Sequence, residues 1–169
     1  GRGVSPLFEL LQKYGDASVV TDLAKAVVQW NYYATLALAG LPDGAGIPAL
    51  IKLAEDPAIS SMGTGDFALR PLAQVAVRYP EAADALIQQA RMNQIPNPAW
   101  PTVIASVAGT YIQYGQQIFG STATAANWSA AELTQRIVLI DRLLAVTSNP
   151  NAVQSLQKAR SMLAIRLQR

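Results

Sequence analysis

The chain has 169 residues and a mass of 18.0 kDa, with 51% hydrophobic residues, 14% charged residues and a formal net charge of +2, a size suited to one domain over residues 1–169 that buries roughly 70% of its unfolded surface. Cysteine and histidine are both absent, which excludes disulfides, thiolate nucleophiles, histidine-based triads and Cys/His zinc sites. No run approaches the ~18 apolar residues of a membrane span and no basic-then-apolar leader is present, so a soluble chain is expected, while the start Gly1-Arg2-Gly3 reads as a processed end or a cut from a longer protein.

Apolar residues recur at intervals of three and four, which predicts an all-α chain. Pro6 opens a short first helix with Leu7, Leu10, Leu11 and Tyr14 on one face, closed by Gly15. Asp16 is placed to cap a long second helix, whose stripe runs Val20, Leu23, Ala24, Val27, Trp30, Ala34, Leu38 until Gly40 and Pro42. Pro48 starts the next helix, with Leu50, Ile51, Leu53 and Ala54 inward, and Asp56-Pro57 breaks it. Asp66 is read as the cap of a helix packed through Leu69, Leu72, Val75, Ala76 and Tyr79; Pro71 either kinks it or marks its first turn.

Pro80 leads to a helix with Leu86, Ile87 and Ala90 inward, and Ile95-Pro96-Asn97-Pro98 makes a stiff connector. From Pro101 a helix is expected through Ile104, Val107, Ala108, Tyr111 and Ile112 to Ile118. A polar loop over 120–128 precedes Ser129-Ala130-Ala131-Glu132, a capping box with Trp128 and Leu133 placed for a hydrophobic staple. Leu133, Ile137, Ile140 and Leu144 continue that helix. Asn149-Pro150 then opens the last one, with Val153, Leu156, Leu163 and Leu167. The helices group into about four antiparallel hairpins, which satisfy their stripes equally as an open array or as a closed bundle.

A five-residue pattern recurs in Leu7-Phe8-Glu9-Leu10-Leu11, Leu50-Ile51-Lys52-Leu53-Ala54 and Leu86-Ile87-Gln88-Gln89-Ala90, with Gln89 standing where an apolar residue is expected. Together with the proline-led segment Ile47-Pro48-Ala49-Leu50-Ile51-Lys52-Leu53-Ala54, this resembles HEAT and armadillo repeats. The resemblance implies a right-handed α-solenoid that binds a protein or extended peptide along the groove lined by the second helix of each hairpin, with nucleic-acid binding in a minority of cases.

On those second helices the polar stripes are Lys25, Gln29 and Tyr32, then Arg70, Gln74 and Arg78, then Thr110, Gln113 and Gln117, with Tyr114 beside them. These are the candidate partner-binding residues, since tyrosine and arginine make effective contacts and four-residue spacing puts a set on one face; the plain alternative is a solvated face. Trp30 and Tyr111 follow the apolar stripes and are expected in the core. The last 34 residues, 136–169, carry six basic residues (Arg136, Arg142, Lys158, Arg160, Arg166 and Arg169) against one acid, which makes nucleic-acid binding through this hairpin the alternative function.

Gly63-Thr64-Gly65-Asp66-Phe67-Ala68 matches the G-x-G-x-x-A form of a dinucleotide fingerprint but has no predicted strand before it, so it reads as an inter-helix loop. Glu55-Asp56 lacks hard-metal spacing. Ser60-Ser61 near Lys52, and the pair Glu81 and Asp84, are the best that a histidine-free enzyme has to offer, and both read more simply as surface groups. The expectation is a non-catalytic module without metal or cofactor.

Overall fold

The computed structural model describes Leu10, residues 15–110 and residues 128–169, and everything stated below concerns these. All regular structure among them is helical, with no strand. In chain order the helices are α1 (Val20–Gly40), α2 (Ile47–Glu55), α3 (Pro57–Ser60), α4 (Leu69–Val75), α5 (Pro80–Arg91), α6 (Trp100–Ala108), α7 (Ala130–Val146) and α8 (Pro150–Leu167), with 3-10 turns at Ala17–Val19, Pro42–Gly44 and Asn97–Ala99. The expected first helix over Pro6–Tyr14 and the stretch through Tyr111, Ile112 and Ile118 lie outside the described residues.

The helix starts follow local chemistry. Asp16 accepts from the Ser18 amide at 2.8 Å and its hydroxyl at 2.6 Å, so it caps the 3-10 turn leading into α1; the Ser18 hydrogen bonds hold its carboxyl below the usual range. Asp56 accepts from Ala58 N at 2.9 Å and starts α3, and Asn149 accepts from Asn151 N and Ala152 N to start α8. Ser129 Oγ accepts from Glu132 N at 3.1 Å, one half of the capping box. Glu132 turns its own carboxylate forward to Arg136. Pro71 is the third residue of α4, where a helix leaves its amides unbonded in any case, so it marks a first turn and makes no kink.

α6 stops earlier than expected. Gly109 adopts φ +76, its amide donates to Ser106 O at 3.2 Å, and Thr110 N donates to Ala105 O at 2.8 Å. This double closure on a left-handed residue is a Schellman end.

Close packing links α1 with α2 and α4, α2 with α4 and α5, α4 with α5 and α6, α5 with α7, α6 with α7 and α8, and α7 with α8. One continuous apolar core results, from Leu23 and Val27 of α1 through Leu50, Leu72, Leu86 and Val107 to Ile140, Leu156 and Leu163. α5 and α6 follow each other in the chain but are not among the closely packed pairs; α6 lies against α4 instead. The connector between them carries Ile95, which is buried in the core. Gln89, in its apolar slot, is buried with Nε2 3.5 Å from Ala54 O on α2. No helix among the described residues is long and apolar enough to cross a membrane.

Candidate functional site

The loop between α3 and α4 turns back on itself through Gly63 (φ +55) and Gly65 (φ +82), which delivers Asp66 and Phe67 into the interior. Asp66 is 4% exposed, and its Oδ1 accepts from the Tyr32 hydroxyl and from Thr64 Oγ1, both at 2.6 Å. Phe67 meets the Tyr32 ring edge-on, centroids 4.4 Å apart, and the Arg70 guanidinium carbon lies 3.8 Å from the Tyr32 centroid. Burial first, and then the hydrogen bond to charged Asp66, push the Tyr32 hydroxyl up to about 12, with Arg70 opposing in part. Tyr32 is therefore a fixed hydrogen-bond donor near neutral pH and no base. The cluster ties α1 to the loop and to α4.

This corrects the reading of the α4 stripe. Arg70 is 3% exposed, packed inside against Tyr32, Gln74 is half-buried, and only Arg78 is exposed. Four-residue spacing does align the three on one face, but α4 is surrounded by α1, α2, α5 and α6, so that face runs from the interior outward. Asp66 is likewise no side-chain cap, because Tyr32 and Thr64 engage its carboxylate. Trp30, expected in the core, is 37% exposed, while Tyr32, expected off the stripe, packs inside α1 against the loop.

Lys25 and Gln29 are exposed on α1 as expected. Lys25 shares with Lys52 a groove of about 490 Å³ between α1 and α2, lined otherwise by Val20, Thr21, Ala24, Pro48 and Ala49. Thr110 is exposed and its hydroxyl donates to Ala105 O. Gln113, Tyr114 and Gln117 lie outside the described residues.

Half of the basic residues at this end are ion-paired. Arg142 pairs with Asp84 at 2.9 Å, Arg160 with Asp141 at 2.6 Å, and Arg136 with Glu132 at 3.1 Å. Bonding to Asp141 raises the Arg160 pKa. Arg136 is 9% exposed, with Nη1 donating to Ser106 O and Val107 O and its guanidinium carbon 4.0 Å from the Trp128 ring centroid. Burial lowers its pKa, and Glu132 pulls it back up. Lys158 and Arg166 hold no carboxylate among the described residues. They edge a second opening of about 290 Å³ between α6 and α8. The sequence marked these two cations but not their grouping, because α6 and α8 are neighbours only in space.

For chemistry the arrangement offers little. Ser60 Oγ and Ser61 Oγ donate back to Pro57 O and Ala58 O of their own turn, and Asp84 of the Glu81/Asp84 pair is held by Arg142. No group of three or more Asp or Glu among the described residues is placed to hold a metal ion. Gly63-Thr64-Gly65 carries a buried carboxylate where a phosphate would approach, and α4 behind it spans only seven residues. Compared with family models, curated proteins and solved structures, the chain matches none.

Proposed function

We propose that this chain is a HEAT-like, right-handed α-solenoid of about four hairpins that binds a protein or extended peptide without catalysis, using the second helix of each hairpin. The observation that supports this reading is the succession of contacts α1 to α4, α4 to α6 and α6 to α8, beside a second succession α2 to α5 and α5 to α7. A surface of that kind costs little ordering on binding, since its side chains stand on packed helices. Lys25, Gln29 and Arg78 are its exposed polar residues on α1 and beside α4, and they favour a polar or acidic segment. Tyr32 and Arg70 serve it from inside, by fixing α1 against α4.

The nucleic-acid alternative is weakened by the ion pairs of Arg136, Arg142 and Arg160, which leave the terminal hairpin with half of its apparent charge. The scaffold reading is tested by recovering a partner from source lysate and titrating it against wild type and the double variant Lys25→Glu, Arg78→Glu. At least a tenfold loss of affinity is expected. Unchanged affinity removes the reading.

A further inference from the structure

We infer that the groove between α6 and α8 receives an acidic, amphipathic helical segment of a protein partner. The inference rests on the scaffold reading and gives it a place and a ligand chemistry. The groove of about 290 Å³ is made by small side chains: Ala105 and Ala108 of α6 face Ala159 of α8, and the missing bulk leaves a trough. Its floor is apolar and buried, with Ile104 7%, Ala108 5% and Leu163 3% exposed, whereas Met162 on the rim is 51% exposed. A flexible thioether beside an apolar trough is a contact that adapts to the side chains it meets.

The charge of the walls selects the occupant. Neither residues 100–110 nor residues 149–169 contain a single Asp or Glu. Lys158 and Arg166 both line the groove, the latter with its guanidinium carbon 5.1 Å from the Trp128 ring centroid and no carboxylate among the described residues, while the other cation within α8, Arg160, is already held by Asp141. Eight residues of helix separate Lys158 from Arg166, about 12 Å along the axis. A bound helix with carboxylates seven or eight residues apart and one or two leucine-like side chains between them meets both cations and fills the trough, the helix-in-groove mode of recognition. A cationic segment meets like charge at both residues and no counter-charge between.

The probe is a pair of labelled synthetic helical peptides with the same central leucines, one flanked by glutamates and the other by lysines, titrated against the full chain by fluorescence anisotropy. The glutamate peptide is expected to bind at least tenfold more tightly than the lysine peptide. Lys158→Glu, an exposed position, is expected to cut that binding at least tenfold and to improve the lysine peptide. Met162→Gln, which removes the apolar rim contact without adding charge, should weaken both peptides, with circular dichroism confirming that each variant remains helical. Equal affinity for the two peptides, no binding of either, or indifference to Lys158→Glu overturns the assignment. If the peptide fails while partner capture still depends on Lys25 and Arg78, the groove is lost and the scaffold reading stands; if the peptide binds and that dependence is absent, the reverse holds.

Discussion

Arg136 of α7 donates from Nη1 to Val107 O at the end of α6, at 2.7 Å, and thereby closes a helix 29 residues away in the chain. The same nitrogen lies 3.3 Å from Ser106 O, so one guanidinium serves two of the carbonyls a helix leaves open at its C-terminus, where the helix dipole also favours a cation. Arg136 Nη2 donates to Glu132 Oε1, one turn back on α7, at 3.1 Å.

Replacing Arg136 by Met removes these bonds while keeping most of the bulk. The expected loss is about 2–3 kcal/mol, from hydrogen bonds made by a charged, buried group, or a fall of roughly 5–10 °C in melting temperature for a chain of this size. Thermal denaturation followed at 222 nm measures it. Arg136→Lys should recover only part, because an ammonium cannot reproduce the planar fork.

Gly109 is indispensable for two separate reasons. It sits at φ +76, and a Cβ built there overlaps the Trp128 indole at Cη2. Gly109→Ala therefore adds displacement of the indole to the ~1 kcal/mol of left-handed strain, and it should shift tryptophan emission as well as lowering the midpoint of urea unfolding. Unaltered emission would mean that Trp128 does not cover the end of α6.

Tyr32 couples stability to alkaline pH. Its hydroxyl is raised to about 12 in the folded chain against an ordinary value of 10.0, so between these values the folded state keeps a proton that the unfolded state has lost. That contribution is complete below pH 10 and disappears as pH rises through 12. Tyr32→Phe should flatten this part of the stability profile and cost about 1.5–3 kcal/mol at neutral pH, since Asp66 loses one of its two hydroxyl donors while buried. Absorbance at 295 nm should show a late tyrosine ionisation in the wild type that is lost in the variant.

Leu72 is fully buried in α4, the helix that touches α1, α2, α5 and α6. Leu72→Ala should cost about 2–5 kcal/mol, as for other large-to-small core changes. Hydrogen exchange should quicken on all four neighbours if they share one core. Faster exchange confined to α4 itself would contradict that continuity.

Local residue patterning was enough to set the helical class and most of its punctuation. Pro48, Pro80 and Pro150 open helices, Asn149 and Ser129 cap them, and the stripes through Leu23, Val27, Leu50, Leu86, Ile140 and Leu156 are buried as their spacing predicts. These are local properties, set by a residue's own dihedrals and by neighbours three and four positions away. Tertiary structure alone decided which polar faces meet water. Arg70 and Arg78 share a stripe, yet one lies under the Tyr32 ring and the other is exposed, while Trp30 and Gln89 exchange the burial their chemistry suggests. The pairing of Lys158 and Arg166 across from Ala105 and Ala108 arose in the same way. Periodicity tells which residues stand together on a helix, but what stands opposite them depends on a second helix arriving from elsewhere in the chain.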